Sequence, residues 1–287
     1  MATDQGKTAN IVGLALMAEA RGVSIPEVGT TTFRPPYTPT ALGAVAAGGV
    51  GRNFVPERFS PMQDWHEEHD AVMVEAGLWM RPRYYPKDGE DIHAAYRREA
   101  KAVREAVGIV DVTSLGKIDV QGPDATEFLE RVYANNFATL KVGRARYGVM
   151  LRDDGVVYDD GTTSRIAENH YFMTTTTANA GPVMAFMEKL LQVEWPELCV
   201  HLTSVSDQWA GIAVAGPKSR ELLAALGTDI DMSNDALPFM GVVDGILDGA
   251  PVRIFRISFS GELAYEIYTT SEYGHALWER IWEAGQP

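Results

Sequence analysis

The sequence predicts an α+β fold made of two related strand–Gly-Pro–helix units, and three observations predict it. Gln121-Gly122-Pro123-Asp124 leads from a strand pattern into a helix pattern, and Ala215-Gly216-Pro217-Lys218 does the same 94 positions later. Such a recurrence suggests a pseudo-duplicated unit. The texture also changes at Asp91: residues 1–90 are rich in Pro, Gly and Thr, whereas 91–287 runs through short strand and helix patterns. Finally, 287 residues with 46% hydrophobic and 22% charged composition can bury one large core or two smaller ones.

The elements follow in order. Ile11 to Arg21 carries apolar residues at helical spacing among good helix formers. The stretch 29–39 holds three prolines, which favour extended backbone and remove donors, and Gly43 to Gly51 is Ala/Gly-rich. Residues 1–90 therefore read as a strap or linker with one short helix, lying on another domain. From Asp91 the chain reads as a separate domain. Ile92 to Val107 is helical, with Gly108 as its stop. Ile109–Val112 and Lys117–Gln121 are strands. A helix then runs to Arg131, with Pro123 at an early position. Tyr147–Leu151 and Val156–Tyr158 form a hairpin around Arg152-Asp153-Asp154-Gly155, and Tyr171–Thr175 is a strand. Pro182–Leu191 is a helix, Gln208–Ala215 a strand and 218–226 a helix. Val252–Ser258 and Ala264–Tyr268 are strands, and Ser271–Ala284 is the last helix.

Composition excludes several classes. The formal net charge of −14 opposes non-specific contact with nucleic acid and anionic membranes. No run of about 18 apolar residues is present to span a bilayer, and the N-terminus lacks the pattern of a secretory signal. The single cysteine, Cys199, permits no internal disulfide, which favours a reducing compartment, here the cytoplasm. Its apolar run Leu198-Cys199-Val200 predicts a buried, inert thiol. Gly6-Lys7-Thr8 lacks the upstream glycine of a phosphate-binding loop. His66-Glu67-Glu68-His69 spaces its histidines three apart rather than four, so a solvated helix face is expected instead of a metal pair. Neither a dinucleotide fingerprint nor a Gly-x-Ser-x-Gly elbow occurs, so no flavin or nicotinamide site is expected in this chain.

Two carboxylate clusters remain. Asp159 and Asp160 end a short apolar strand and precede Thr162-Thr163-Ser164-Arg165. A carboxylate there faces either solvent, as a turn residue, or a pocket. Glu266 lies in the run Ser258 to Ile267, at a parity opposite to Leu263, Tyr265 and Ile267. Either a solvent-facing role or a functional one fits it.

At these residues the sequence resembles a known family. Asp111-Val112-Thr113-Ser114-Leu115-Gly116-Lys117, Gly155 to Asp160, Ala215 to Ser219, Leu237-Pro238-Phe239-Met240 and the Gly-Glu-x-x-x-Glu core of Ser258–Ile267 are similar to the folate-binding domain of glycine-cleavage T proteins, the aminomethyltransferases. They are closer still to the same domain of dimethylglycine and sarcosine oxidases. Residues 4–36 resemble the middle of the α subunit of heterotetrameric sarcosine oxidases. The resemblance implies a T-protein-like fold over 91–287 that stops before its closing β-rich domain. It implies tetrahydrofolate as the ligand of this chain, with FAD or FMN and NAD held in missing regions or in partner subunits. Those partners would be a flavin-bearing β subunit and small subunits.

The resemblance also implies site roles. Glu266 would accept the two-donor edge of the pterin, a fork that suits a bidentate carboxylate. Asp160 would be the catalytic aspartate near the folate nitrogens, with Asp159 the alternative by one register. There a carboxylate stabilises a cationic iminium and orients the attacking nitrogen. Leu115, Tyr147, Thr176 and Phe259 would line the folate. Phe259 stands where the family commonly has Tyr, Thr113-Ser114-Leu115 where it has Ser-His-Met, and Thr176 where the T proteins have Asn. These departures favour the oxidase branch, in which sarcosine is demethylated to glycine and the one-carbon unit is captured as 5,10-methylenetetrahydrofolate. A stand-alone aminomethyltransferase and a non-catalytic folate-binding module are the alternatives.

Overall fold

The computed structural model of the chain describes residues 58–286. The short helix expected over Ile11–Arg21, the Pro-rich stretch 29–39, the run Gly43–Gly51 and the Gly6-Lys7-Thr8 motif all lie outside the described residues. The helices are α1 (Gln63–Glu68), α2 (Ile92–Glu105), α3 (Ala125–Val132), α4 (Ala180–Lys189), α5 (Ser219–Ala225) and α6 (Ser271–Ala284). A hairpin of β1 (Val72–Ala76) and β2 (Trp79–Tyr84) follows α1. The other strands are β3 (Gly108–Asp111), β4 (Gly116–Gln121), β5 (Arg144–Leu151), β6 (Val157–Ala167), β7 (His170–Thr175), β8 (His201–Ser204), β9 (Trp209–Ala215), β10 (Val242–Leu247), β11 (Ala250–Phe255) and β12 (Ala264–Thr270).

Two five-stranded antiparallel sheets hold these strands, in the orders β5-β6-β7-β4-β8 and β10-β11-β12-β9-β3. The duplication is visible in those orders. In each half a strand leads through Gly-Pro into a helix, then a three-stranded meander returns to pair its last strand with the first. The glycines of the two junctions share one conformation, with φ of +140° at Gly122 and +131° at Gly216. A Cβ at Gly122 would stand 2.2 Å from the Cys199 carbonyl oxygen, and one at Gly216 2.4 Å from that of Ala106. Backbone packs against backbone at both turns, and only Gly lacks the atom that would collide.

Each sheet buries one face under helices. Ala125, Phe128, Leu129 and Val132 fall on one stripe of α3 by the i, i+3, i+4, i+7 rule, and pack with Val183 and Met187 of α4 on Ile118, Val120, Tyr171 and Met173. Leu277, Trp278 and Ile281 of α6 pack with Leu222 and Leu223 of α5 on Ile212, Val214, Ile254, Tyr265 and Ile267. The two remaining faces meet. Ala145 and Phe172 of one sheet pack on Phe255 and Tyr268 of the other, with the Phe172 ring 5.5 Å from Tyr268 and 5.7 Å from Phe255. The described chain is thus a helix–sheet–sheet–helix stack, an α+β fold.

Several expectations change. Met62 and Trp65 join the core against Trp278, so α1 and the hairpin, in the stretch expected to be a strap, are part of the folded unit. The helix that carries His66-Glu67-Glu68-His69 is solvated only in part: Glu67 and Glu68 are exposed, but His66 is fully buried. Its Nε2 lies 3.0 Å from Asp111 Oδ2, and Tyr85 Oη lies 2.8 Å from its Nδ1. His69 stacks on the Trp65 ring at 3.7 Å. Cys199 is exposed rather than buried. Leu198 and Val200 do face the core, and in extended chain the residue between two inward neighbours points out. Strands β8 and β10 and the β1–β2 hairpin carry no strong alternation in the sequence and form through their partners.

Candidate functional site

The faces that meet between the sheets hold both motif carboxylates. In β6, Ser164 pairs with Phe172 and with Ala145, both members of the inter-sheet cluster. Residues two and four apart along a strand share a face, so Asp160 and Thr162 look the same way as Ser164. Asp159 points to the opposite face, paired with Met150 of the helix-covered core. In β12, Tyr268 belongs to the inter-sheet cluster and Glu266 lies two positions before it, so Glu266 shares its face.

The two aspartates differ in what already occupies them. Asp159 is buried and accepts from Thr176 Oγ1 at 2.6 Å, Thr176 N at 3.2 Å and Asn179 Nδ2 at 3.3 Å. Burial pushes its carboxyl above the ordinary range, opposed by those hydrogen bonds. Asp160 is half-buried and, among the described residues, accepts one hydrogen bond, from Tyr147 Oη to Oδ2 at 2.8 Å. Neighbouring positions of one strand thus carry a tethered carboxylate and an accessible one.

Glu266 is partly buried. Among the described residues its carboxylate accepts one hydrogen bond, from Tyr268 Oη to Oε2 at 3.0 Å. Desolvation raises the Glu266 carboxyl above its ordinary range, while the Tyr268 hydroxyl and the charge of Lys117 work in the other direction. The Tyr268 hydroxyl is itself pushed up, first by burial and then by the Glu266 charge. The parity read from the sequence was therefore right, and the solvent-facing alternative fails because the opposite face meets a second sheet. A period of two tells which residues share a face; it does not tell what covers that face.

The other expected lining residues divide. Tyr147 comes together with Asp160, and half of its surface is exposed. Leu115 is half-buried in the turn after β3, where its N–H donates to the Val112 carbonyl. Thr176 commits its hydroxyl and its N–H to Asp159. Phe259 is fully exposed in the β11–β12 connection. Beside it opens a cleft of ≈ 450 Å³ lined by Phe239, Arg256, Ser258, Gly261, Glu262, Leu263 and Ala264. The cleft thus joins the two motifs Leu237–Met240 and Ser258–Ile267. Glu262 is fixed by Arg104 of α2, whose Nη1 lies 2.7 Å from Oε1.

Two residues of this region were given no role by the sequence reading, although Lys117 closes the Asp111–Lys117 motif. Tyr268 orients Glu266, and Lys117 of β4 is wholly buried, its Nζ 6.0 Å from the centre of the Tyr268 ring. The signal for Lys117 was weak: one basic residue at the head of an alternating strand looks like any solvated strand end. No group of three or more His, Cys, Asp or Glu among the described residues is arranged to hold a metal ion. Among them, too, no helix is long and apolar enough to cross a membrane.

Comparison with known proteins places the chain in a family. The chain is 51% identical over its whole length to a sarcosine oxidase subunit alpha of Rhizobium meliloti, of which it spans 29%. It is equally 51% identical to the corresponding subunit of Corynebacterium sp. strain P-1, of which it spans 30%. An aminomethyltransferase of Bacillus subtilis is 32% identical over 79% of the chain and 58% of that protein. The crystal structure of the glycine cleavage system aminomethyltransferase T from Bartonella henselae superposes with a TM-score of 0.67 at 25% identity, over 78% of this chain and 56% of that one. The chain spans about a third of the sarcosine oxidase subunits it matches. A family model described as the sarcosine oxidase A3 domain matches residues 1–49. The model described as the GCVT N-terminal domain matches residues 62–287, and the chain belongs to that aminomethyltransferase-like family.

Proposed function

We propose that this chain binds tetrahydrofolate between its two sheets and captures there the one-carbon unit released when sarcosine is oxidised, giving glycine and 5,10-methylenetetrahydrofolate. The observation that carries the reading is the Glu266 carboxylate, held by Tyr268 on the inter-sheet face with acceptor capacity to spare. A pterin presents a ring N–H beside an exocyclic amine, and a carboxylate accepts that pair in parallel. The family supports folate-dependent one-carbon chemistry, and the similarity to sarcosine oxidase α subunits supports sarcosine as the source. The amine is proposed to be oxidised at a flavin held in another region or subunit of the assembly; a β subunit and small subunits are the partners proposed. The domain boundary is proposed to lie ahead of residue 62, where the family match begins.

Within this chain the work divides between two carboxylates. Glu266 fixes the pterin. Asp160, with one oxygen engaged by Tyr147, keeps its second oxygen for the reacting centre, where its charge stabilises an iminium and orients the attacking nitrogen. Asp159 is proposed as a structural anchor, since three donors already hold it.

Titration of the purified chain with tetrahydrofolate tests the reading. Glu266→Ala should weaken binding by about 1.5–3 kcal/mol, the range for hydrogen bonds to a charged group. Unchanged affinity refutes the pterin assignment. Recovery of the chain with a flavoprotein partner separates an oxidase subunit from a stand-alone aminomethyltransferase.

A further inference from the structure

The duplication offers a way to see which residues the site has altered. Positions related by the 94-residue offset occupy equivalent places in the two sheets. Lys117 pairs with Thr174 and Asp119 with Phe172 in one sheet; Gly211 pairs with Tyr268 and Ala213 with Glu266 in the other. One half therefore presents Lys117, Phe172 and Thr174 to the inter-sheet face, and the other presents Gly211, Glu266 and Tyr268. The repeat is broken where the halves meet. Glu266 replaces an aromatic core residue, Tyr268 replaces a threonine and spreads over Gly211, and a lysine stands where the other half has no side chain at all. A Cβ at Gly211 would lie 2.9 Å from the Tyr268 ring, so the bare backbone there leaves room for that ring.

Lys117 has little else to explain it. A fully buried lysine is costly unless it is paired. Its Nζ donates to the Thr113 carbonyl at 2.5 Å, and no carboxylate among the described residues lies within ion-pair distance of it. The groups whose charges reach it are Asp111 of β3, Asp207 of the turn before β9, Arg58 of the N-terminal segment and Glu266 of β12. Asp111 is already served by His66 and by the Thr113 N–H at 2.9 Å, and Asp207 by Arg58 at 3.0 Å. Among the described residues Glu266 has only the Tyr268 hydroxyl, and the cation acting on it is Lys117.

We propose that Lys117 is a positioning residue of the pterin subsite: its buried ammonium, lying against the Tyr268 ring, supplies the positive charge that keeps Glu266 a carboxylate and Tyr268 its donor. The inference rests on the pterin reading of Glu266 and adds a second, remote residue to it. Burial brings the Lys117 ammonium down from 10.5 to about 7, so the charge is lost near neutrality. As pH rises past 7, Glu266 then loses its counter-charge, and the site should hold a pterin less well.

The test uses the full chain and tetrahydrofolate kept under anaerobic conditions, titrated from pH 6 to 9 with wild type, Lys117→Met, Lys117→Arg and Glu266→Gln. In wild type, affinity should fall as pH rises past 7. Lys117→Met should bind at least tenfold more weakly at pH 6.5 and show a flat profile; Lys117→Arg should recover part of the affinity and stay pH-independent. Wild-type affinity and profile in Lys117→Met would overturn the proposal while leaving the pterin reading intact. Wild type that shows no saturable binding, or that Glu266→Gln leaves unchanged, overturns the pterin reading and the role of Lys117 with it. A ligand-free readout guards against misfolding: the Lys117 side-chain resonance should titrate near pH 7 in wild type, and with a lower midpoint in Glu266→Gln. A midpoint indifferent to that substitution counts against the coupling.

Discussion

Replacing Lys117 by Met should stabilise the chain, and the gain should fade as pH rises. The ammonium is fully buried, and its folded-state value of about 7 lies well below the 10.5 of the exposed group. Below pH 7 both folded and unfolded chains hold the proton, and the full cost of burying the charge is present. Between 7 and 10.5 the unfolded chain holds more protons, so wild-type stability rises with pH. Above 10.5 both states are neutral and the difference vanishes. At 1.36 kcal/mol per pKa unit the cost removed at pH 7 is about 4 kcal/mol. Against it stands the Thr113 carbonyl, which loses its Lys117 donor at about 1–3 kcal/mol. Lys117→Met is therefore expected to be more stable by about 1–3 kcal/mol at pH 7, and its advantage should shrink by roughly 1.4 kcal/mol per pH unit above that. Urea denaturation of both proteins from pH 6 to 10 measures this. Parallel stability curves, or a destabilised variant at pH 6.5, would refute the reasoning. Confirmation alongside weaker folate binding would mean that stability is sacrificed at this position for function.

Three further outcomes are expected. Gly216→Ala forces a Cβ to within 2.4 Å of the Ala106 carbonyl at φ +131°, and should cost more than about 3 kcal/mol in chemical denaturation, whereas Gly155→Ala, with positive φ but nothing within 4 Å, should cost about 1 kcal/mol. If the chain acts in a sarcosine-oxidising assembly as proposed, Asp160→Asn should slow one-carbon transfer to tetrahydrofolate about a hundredfold there, read as free formaldehyde in place of methylenetetrahydrofolate, while binding changes less than about threefold; equal losses in both would remove the distinction between the carboxylates. Cys199 should react stoichiometrically with a thiol reagent in the native chain, at a rate untouched by mild denaturant; slow labelling that tracks unfolding would contradict its exposure.

The sequence by itself determined most of the elements from Ile92 onward, because helical stripes such as Ala125, Phe128, Leu129 and Val132 and the two Gly-Pro junctions are local patterns with local causes. It also determined the duplication and the parity of Glu266. The tertiary structure alone decided what each face meets. Whether Glu266 faced water or protein depended on a second sheet whose strands lie far away in sequence. His66 is buried because Trp65 of the same short helix and Met62 just before it dock on α6, and its partners Asp111 and Tyr85 come from separate elements. Cys199 points out because Leu198 and Val200 are held by the core beneath them. Lys117 remained hidden for the same reason: a strand's alternation says which residues travel together, and only the stacking of two sheets turned one of those faces into a buried site.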